Sequence, residues 1–313
     1  MLDSHQLNVF LTAAETLNFT KAAKRLHMTQ PSVSQHIQSL ERHFGMPLFI
    51  RAGRHLELTD VGMTLVPLAR DLVRKSQYIE EMMESMRGEV HGHLRVGCST
   101  TPGKYVLPQI LAHLHREHPK VSVTCQVSSQ ETAIQMLCDG EVQVALTSVP
   151  LSMPKDTEFK KFMTDPVVLI APLNHPWAKR VSIQPKDLYE ADFILREEES
   201  GTQIAVKKAL KKVGIDISDL QNILTLGNSE AISMAVQQGL GVGFVSMLVV
   251  DRLVQEQVAI IEVQGVDISR DIFIARHSRY PATMAMKAFW ELINNPETLE
   301  LPHLLVEQEP VFA

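Results

Sequence analysis

The sequence predicts an α/β protein built in three parts: an N-terminal winged helix-turn-helix, a long linker helix, and two Rossmann-like α/β subdomains. Three observations carry the prediction. Phe19 to Phe49 reads as two short helices joined by a tight turn, small enough to enter a DNA groove. Apolar residues at four-and-three spacing then run from Asp60 to Arg87, the repeat of a helix that packs along its whole length. From Leu94 short apolar strands alternate with amphipathic helices, and a similar series restarts at Val167, which implies parallel sheets in two alike subdomains. The expected divisions are residues 1–60, 61–90, a first subdomain from 91–161 and 267–295, a second from 162–266, and a tail over 296–313.

Length and composition allow this. A chain of 313 residues with 45% apolar residues has room for about two domains with real cores. The net charge of -6 is divided unevenly, +1 over residues 1–60 and -7 over the remainder, too slight an asymmetry to indicate nucleic acid by itself. Cys98, Cys125 and Cys138 form no CxxC pair and leave an odd thiol. They read as buried thiols in a reducing cytoplasm rather than as a disulfide framework, a redox pair or a metal site. No basic leader with an apolar core opens the chain and no long apolar run occurs. The expectation is a cytoplasmic protein, neither exported nor membrane-spanning, with no membrane partner.

In the first segment Leu7, Phe10, Leu11 and Ala14 recur at helical spacing, and the helix they define ends near Leu17 and Asn18. Thr20 is the expected cap of a second helix, Lys21 to Leu26, whose Ala22-Ala23 pair lets another helix pack closely. Thr29 is the expected cap of a third, with Pro31 in its first turn. Val33, Ile37, Leu40 and Phe44 share one face of that third helix; Gln30, Ser32, Ser34, Gln35, Gln38 and Ser39 lie elsewhere on it. A solvated helix normally shows charges to water. Amides and hydroxyls instead are the groups that bond base edges and phosphates, so this face is the candidate reading surface. Gly45 stops the helix, and Leu48 to Arg51 and His55 to Leu58 then alternate about Gly53 as a hairpin would. Arg51 and Arg54 stand at its turn, where a wing reaches phosphates or the minor groove.

The order of Phe10, Ala14, Phe19, Ala22-Ala23, Leu26, Gln30-Pro31-Ser32-Val33-Ser34, Ile37, Leu40-Glu41, Gly45, Leu48-Phe49, Arg51, Leu58-Thr59 and Gly62 closely resembles the winged helix-turn-helix of LysR-type bacterial transcriptional regulators. The resemblance implies that Gln30, Pro31, Ser32, Ser34 and Gln35 face double-stranded DNA and that Arg51 and Arg54 lie in the wing. Thr20, Thr29 and Gln38 complete the candidate set. Many members carry arginine where Gln35 stands, and an amide there favours adenine over guanine.

Val61, Leu65, Leu68, Leu72, Ile79, Met82 and Met86 form the stripe of the linker, with Lys75 at its one mismatched position. Its length, ~39 Å for about 26 residues, exceeds that of an ordinary globular helix, and Gly88 and Gly92 end it. A dimerisation seam is expected, although a core helix of one domain would show the same stripe. A dimer sets two recognition helices on a palindrome. The resemblance implies the same, with a homotetramer as the usual working form and RNA polymerase as a further partner.

In the α/β portion, strand Leu94 to Cys98 runs into Ser99-Thr100-Thr101-Pro102-Gly103 before its helix, and strand Phe193 to Leu195 runs to Ser200-Gly201-Thr202 before another. Small hydroxyl residues at a strand end and helix start offer N–H groups and the positive end of a helix dipole, suited to a carboxylate or phosphate. Either site alone is explained by N-capping; the matched pair points to an anionic effector held between the subdomains. Thr147 and Ser148, after strand Val142 to Leu146, and Ser246, after Val245, are further candidates. Arg196 is placed either to meet an anion or to pair with Glu197-Glu198-Glu199.

This portion looks like the effector domain of the same family, itself related to periplasmic binding proteins. Leu94-Arg95-Val96-Gly97, Phe193-Ile194-Leu195-Arg196-Glu197 and Leu226-Gly227-Asn228-Ser229-Glu230 look most like the branch regulating carbon-fixation and sulfur genes. Gln203 departs from that branch, which often has arginine after Gly-Thr, and so removes a potential phosphate partner.

The HxH spacing keeps His113 and His115 off one helix face and leaves only His115 and His118, three apart, as good partners, too few for an expected metal site; no cofactor is expected either. No Gly-x-Ser-x-Gly elbow, Walker loop or HExxH occurs, which argues against an enzyme. Two classes remain: a ligand-responsive DNA-binding regulator, or a small-molecule binding or enzymatic domain whose N-terminal helices merely dimerise. The polar face of Gln30 to Gln38 separates them, because a dimerisation helix would keep that face apolar.

Overall fold

The computed structural model describes residues 2–52, 55–85, 90–148, 155–278 and 282–295. Arg54, Met86 and the tail from 296 lie outside the described residues. The chain divides into two units, Met1–Glu89 and Val90–Ala313.

In the first unit, helices α1 (Ser4–Thr16), α2 (Phe19–Arg25) and α3 (Gln30–Phe44) precede a hairpin of β1 (Phe49–Ala52) and β2 (His55–Leu58), and α4 (Asp60–Ser85) follows. Asn18, not Thr20, caps α2: its side chain accepts from the N–H groups of Thr20 at 2.9 Å and Lys21 at 3.0 Å. The helix begins at Phe19, so Thr20 sits within the first turn, where its own N–H needs an acceptor. Thr29 does cap α3, accepting from Ser32 N–H at 3.3 Å, and Gly45 ends it at φ +69°, a left-handed position that suits glycine.

Val33, Ile37 and Leu40 turn inward onto Leu7, Phe10, Ala22, Ala23 and Leu48. Phe49 stands edge-on to Phe10 and Phe19, with ring centroids 5.7 and 5.4 Å apart. A Glu41 carboxylate oxygen accepts from Leu48 N–H at 2.8 Å and Phe49 N–H at 3.3 Å, which ties the end of α3 to the start of the hairpin. Thr59 donates to the Pro47 carbonyl at 2.8 Å and accepts from Gly62 N–H at 3.0 Å. A Cβ at Gly62 would lie 2.3 Å from the Leu48 carbonyl oxygen. The first turn of α4 therefore rests on the hairpin at a distance that glycine alone permits.

The apolar stripe expected along α4 is divided between two environments. Val61 and Leu65 pack partly buried on the core of this unit, whereas Leu68 and Ile79 are 61% and 59% exposed. Leu72 is exposed as well and Met82 half-buried. A second apolar face, Val66, Ala69 and Val73, makes the inward contact, and counting along the first stripe passes over it.

The second unit begins with β3 (Gly92–Ser99), a π-helical turn at Pro102–Val106, α5 (Leu107–Glu117), β4 (Val121–Ser128), α6 (Gln130–Cys138) and β5 (Val144–Thr147). Then come β6 (Thr157–Ala171), β7 (Phe193–Arg196), α7 (Gly201–Lys212), β8 (Asn222–Leu226), α8 (Ser229–Gln237) and β9 (Val242–Ser246). A single turn α9 (Met247–Val249), β10 (Ala259–Ile261), β11 (Ser269–His277) and α10 (Met284–Asn294) complete it. The strand order is β4-β3-β5-β11-β6-β9-β7-β8, with β10 also on β6.

The pairing is mixed rather than parallel throughout. β3 pairs in parallel with β4 and β5, and β7 with β8 and β9, but β6 and β11 run antiparallel to each other. The reason is the long strand β6: residues Thr157–Pro166 pair with β11, and Val167–Ala171 with β9 and β10. It crosses from one half to the other and β11 crosses back, so the two must oppose in direction. The sequence shows only the apolar second part of β6, because Glu158, Lys160, Lys161 and Asp165 break up the first. Leu94, Val96, Ile110 and Phe289 belong to the largest buried cluster of one half and Phe193, Leu195, Val206 and Phe244 to that of the other, with Leu137 and Ala145, and Ile194 and Ile232, in smaller clusters of their own.

Of the three thiols read as buried, only Cys98 is so; Cys125 is exposed and Cys138 intermediate. Cys125 lies on β4, the outermost strand of its sheet, within a run of consecutive exposed residues from Thr124 to Val127. No helix among the described residues is long and apolar enough to cross a membrane.

Candidate functional site

On α3 the side chains of Gln30, Pro31, Gln35 and Gln38 are exposed, and Ser32 and Ser34 are partly so. Gln30 donates to the Ser34 hydroxyl at 2.9 Å; the Gln35 and Gln38 amides have no intramolecular hydrogen-bond partner among the described residues. Thr29 is occupied as the cap, and Thr20 is exposed on α2. An open concavity of about 1010 Å³ runs along Pro31, Ser34, Gln35, Gln38, Glu41 and Arg42. Arg42 is exposed, and its Nε donates to the Gln38 carbonyl at 3.3 Å. Sequence reading missed this cation, although its positions four beyond Gln38 and seven beyond Gln35 mark the shared face. Arg51 lies on β1, paired with Leu56 in the hairpin register.

In the second unit a cavity of about 270 Å³ opens where strand ends meet helix starts. Seven of the expected effector residues line it: Ser99, Thr100, Thr101, Ser148, Arg196, Ser200 and Gly201. The end of β4 and start of α6 add Ser128, Ser129, Gln130 and Glu131. Those residues obey the same rule, hydroxyls between a strand and a helix, and the rule applied to Ser128-Ser129 would have found them. Ser129 caps α6 by accepting from Thr132 N–H at 3.1 Å, and Ser200 caps α7 by accepting from Gln203 N–H at 3.1 Å. Both helix N-termini therefore border one cavity and bring their positive ends to it. The two sides touch where Gln130 Nε2 donates to the Glu199 carbonyl at 3.0 Å. A Cβ on Gly201 would lie 2.0 Å from Ser148 Oγ, so this close approach also depends on glycine.

Arg196 turns out to serve its own loop. It donates from Nε to Glu197 Oε2 at 2.9 Å and from Nη2 to Oε1 at 2.6 Å, and further to Ser229 Oγ at 3.0 Å and the Gly227 carbonyl at 3.2 Å. Burial pushes the Glu197 carboxyl up, but the hydrogen bonds and charge of Arg196, with a backbone hydrogen bond, outweigh it and hold the group below the usual carboxylate range. Gln203, at the position expected to favour arginine, accepts from Arg196 N–H at 3.3 Å and so stitches β7 to α7.

Thr202 and Ser246 lie outside the lining, in a buried network behind it. Arg270 of β11 donates from Nε to Asp165 Oδ2 at 2.8 Å and from Nη1 to Thr202 Oγ1 at 2.9 Å, while Ser246 Oγ donates to Asp165 Oδ1 at 2.7 Å. Asp165 and Arg270 face each other in the register of the two crossing strands. Arg270 also lines the cavity, 6% exposed, and its Nη2, though 2.8 Å from Asp165 Oδ2, is not aligned for a hydrogen bond. Ser99 Oγ is likewise buried without a hydrogen-bond partner among the described residues. Thr147 is fully buried beside the cavity but does not line it. On the far side, Lys104 and Glu230 pair at 2.9 Å between the π-helical turn and α8. Burial, with the nearby Glu230 charge, pushes the neighbouring Tyr105 hydroxyl up to about 12.

A helix face of uncommitted amides in one unit, and a hydroxyl-lined cavity in an α/β unit, are the arrangement expected of a DNA-binding regulator with a ligand domain. Residues 4–63 match the bacterial regulatory helix-turn-helix protein, lysR family, and residues 87–295 match the LysR substrate binding domain. The chain belongs to the LysR-type transcriptional regulators, and is not an enzyme. It is 30% identical over 291 residues to the RuBisCO operon transcriptional regulator of Allochromatium vinosum, covering 92% of this chain and 94% of that one. A full-length OxyR variant from Pseudomonas aeruginosa shares the fold, with a TM-score of 0.71 at 23% identity over 99% of both chains. The CcmR regulatory domain of Synechocystis PCC6803, in complex with 2-PG, matches with a TM-score of 0.58 at 25% identity, over 65% of this chain and 96% of that one.

Proposed function

We propose that the chain works as a homodimer or homotetramer which reads a palindromic site on double-stranded DNA, and that a small anionic metabolite in the cavity of the second unit controls it. On this reading residues 1–60 bind DNA, 61–90 join the copies, and the two α/β subdomains hold the effector. The observation that carries it is the convergence of the α6 and α7 N-termini, with Ser99, Thr100 and Thr101, on one cavity of about 270 Å³. Arg196 and Arg270 are each balanced by a carboxylate, so the attraction for an anion comes mainly from helix N–H groups and hydroxyls. The cavity volume suits a ligand of few atoms. Relatives named for the RuBisCO operon, and a regulatory domain solved with 2-PG, support a small-molecule effector.

For control, the ligand must bind one arrangement of the subdomains more tightly than another. Arg270 supplies the link: it borders the cavity, grips Thr202 of α7, and is paired to Asp165 on the crossing strand. On α4 the exposed Leu68, Leu72 and Ile79 supply the seam between copies. Contact with RNA polymerase completes the regulatory role.

A thermal-shift series with inorganic phosphate, sulfate, small carboxylates and their neutral analogues tests this. Anions should raise the melting temperature, and Thr100→Ala should diminish that rise while leaving basal DNA affinity intact. Equal stabilisation by neutral analogues would overturn the anionic reading.

A further inference from the structure

We propose that Cys98 and Cys125 form a peroxide-reactive dithiol that closes into an intrachain disulfide. They stand on adjacent parallel strands, Cys125 opposite Val96 and Cys98 opposite Val127 in the register of β3 and β4. Since Val96 and Cys98 point to the same side of β3, the two thiols sit diagonally on one face. Their sulfur atoms are 3.1 Å apart. A disulfide at about 2.05 Å asks for an approach of only ~1 Å more.

The two thiols differ in the way that such a reaction needs. Cys125 is exposed on the outermost strand, open to a small oxidant, while Cys98 is buried beside it. The hydrogen bond with Cys98 draws the Cys125 thiol below its ordinary range, partly offset by burial, and the same contact together with burial pushes Cys98 up. The exposed sulfur is thus the attacking group and the sheltered one the resolving group.

The step balances with hydrogen peroxide as oxidant. The Cys125 thiolate attacks one peroxide oxygen, the O–O bond breaks, and the leaving hydroxide takes a proton to become water. The Cys98 sulfur, giving up its proton, then attacks the resulting sulfenic sulfur and expels the second oxygen as water. Two thiols lose two electrons and one peroxide becomes two waters.

Cys98 also adjoins the cavity. Ser99, Thr100 and Thr101 follow it directly and line the cavity wall, and a Cβ on Gly103 would come 2.4 Å from the Cys98 sulfur. Drawing that sulfur toward β4 therefore moves the segment that bears three of the lining hydroxyls. This coupling rests on the effector reading of the cavity; formation of the disulfide does not.

The test treats the full chain with hydrogen peroxide, then measures intact mass and maps peptides under non-reducing conditions. A loss of two hydrogens with a Cys98–Cys125 linked peptide, reversed by dithiothreitol and absent from both Cys98→Ala and Cys125→Ser, is the expected result. Oxygen addition at Cys125 without linkage, or linkage through Cys138, overturns the proposal. Oxidised wild type should also lose most of its melting-temperature rise with inorganic phosphate, where oxidised Cys125→Ser keeps it. An unchanged rise in the linked protein would overturn the coupling to the cavity.

Discussion

On α3 the outward polar groups come from one continuous helix of 15 residues, and the side-chain amides of Gln35 and Gln38 have no hydrogen-bond partner among the described residues. In the second unit the polar groups come from segments more than 100 residues apart, Asp165 and Arg270 among them, and nearly every donor already has an acceptor. The difference teaches what each surface is prepared to do. Uncommitted amides wait for a partner with its own donors and acceptors, as base edges are. A satisfied buried network holds a shape, and a ligand acts on it by displacing a partner or filling a gap such as that at Ser99 Oγ or Arg270 Nη2.

The sharpest break in this comparison is at Asp165. Asp165→Ala leaves Arg270 buried and unpaired, and should destabilise the protein by about 3–5 kcal/mol in urea unfolding. Pairing Asp165→Leu with Arg270→Met should restore most of the loss; a single variant as stable as wild type would show the network to be idle. Gly62→Ala comes next, at about 1–3 kcal/mol, because the new methyl meets the Leu48 carbonyl rather than a movable side chain.

On the exposed polar face of α3, the proposed reading surface, the effects should separate by kind. Gln35→Ala should relax base preference at one position, about 1–3 kcal/mol of discrimination, while Arg42→Ala should weaken all sequences alike and lower the salt slope by about 1. Titrations on matched and mismatched duplexes at several salt concentrations decide it, and identical behaviour of the two variants would remove α3 from the interface. Asn18→Ala should lower stability by about 1 kcal/mol, with Thr20→Ala within ~0.5 kcal/mol of wild type; the reverse order would restore Thr20 as the cap.

The smallest effect is a pH dependence. The Glu197 carboxyl is held low in the folded chain, so its contribution is present above the unfolded pKa and fades as pH falls through the folded one. Solvent reaches this carboxylate and weakens the pairing. Glu197→Gln should flatten the acid limb of stability slightly, and an unchanged limb would mean that Arg196 is held by Ser229 and Gly227 alone.

How far the sequence could be read follows from the same contrast. The DNA-binding half was legible because periodicity places Val33, Ile37 and Leu40 inside and the amides outside within a single helix. The Ser99 and Ser200 ends of the cavity were legible because local capping chemistry marks them. Arg270 was not, since nothing within β11 reveals that Asp165 lies opposite, and that pairing arises only when two strands cross. The start of β6 escaped for a related reason: its charged residues are matched across the sheet, as Lys161 is with Asp271 at 2.8 Å, rather than by neighbours in sequence. The thiol pair likewise depends on strand register, which places Cys125 near Cys98 across 27 positions.

The contact between Gly62 and Leu48, with Ala69 and Val73 sunk in the same core, makes the near end of α4 an anchored handle on the helix-turn-helix head. A helix of 26 residues extends about 39 Å. Swinging its far end through about 7 Å turns the head by only ~10°, and the same geometry in reverse turns a small rotation at the DNA into a displacement of about two base-pair rises of ~3.4 Å. The helix is thus a lever, and its mechanical advantage is set by where the glycine lets it be clamped.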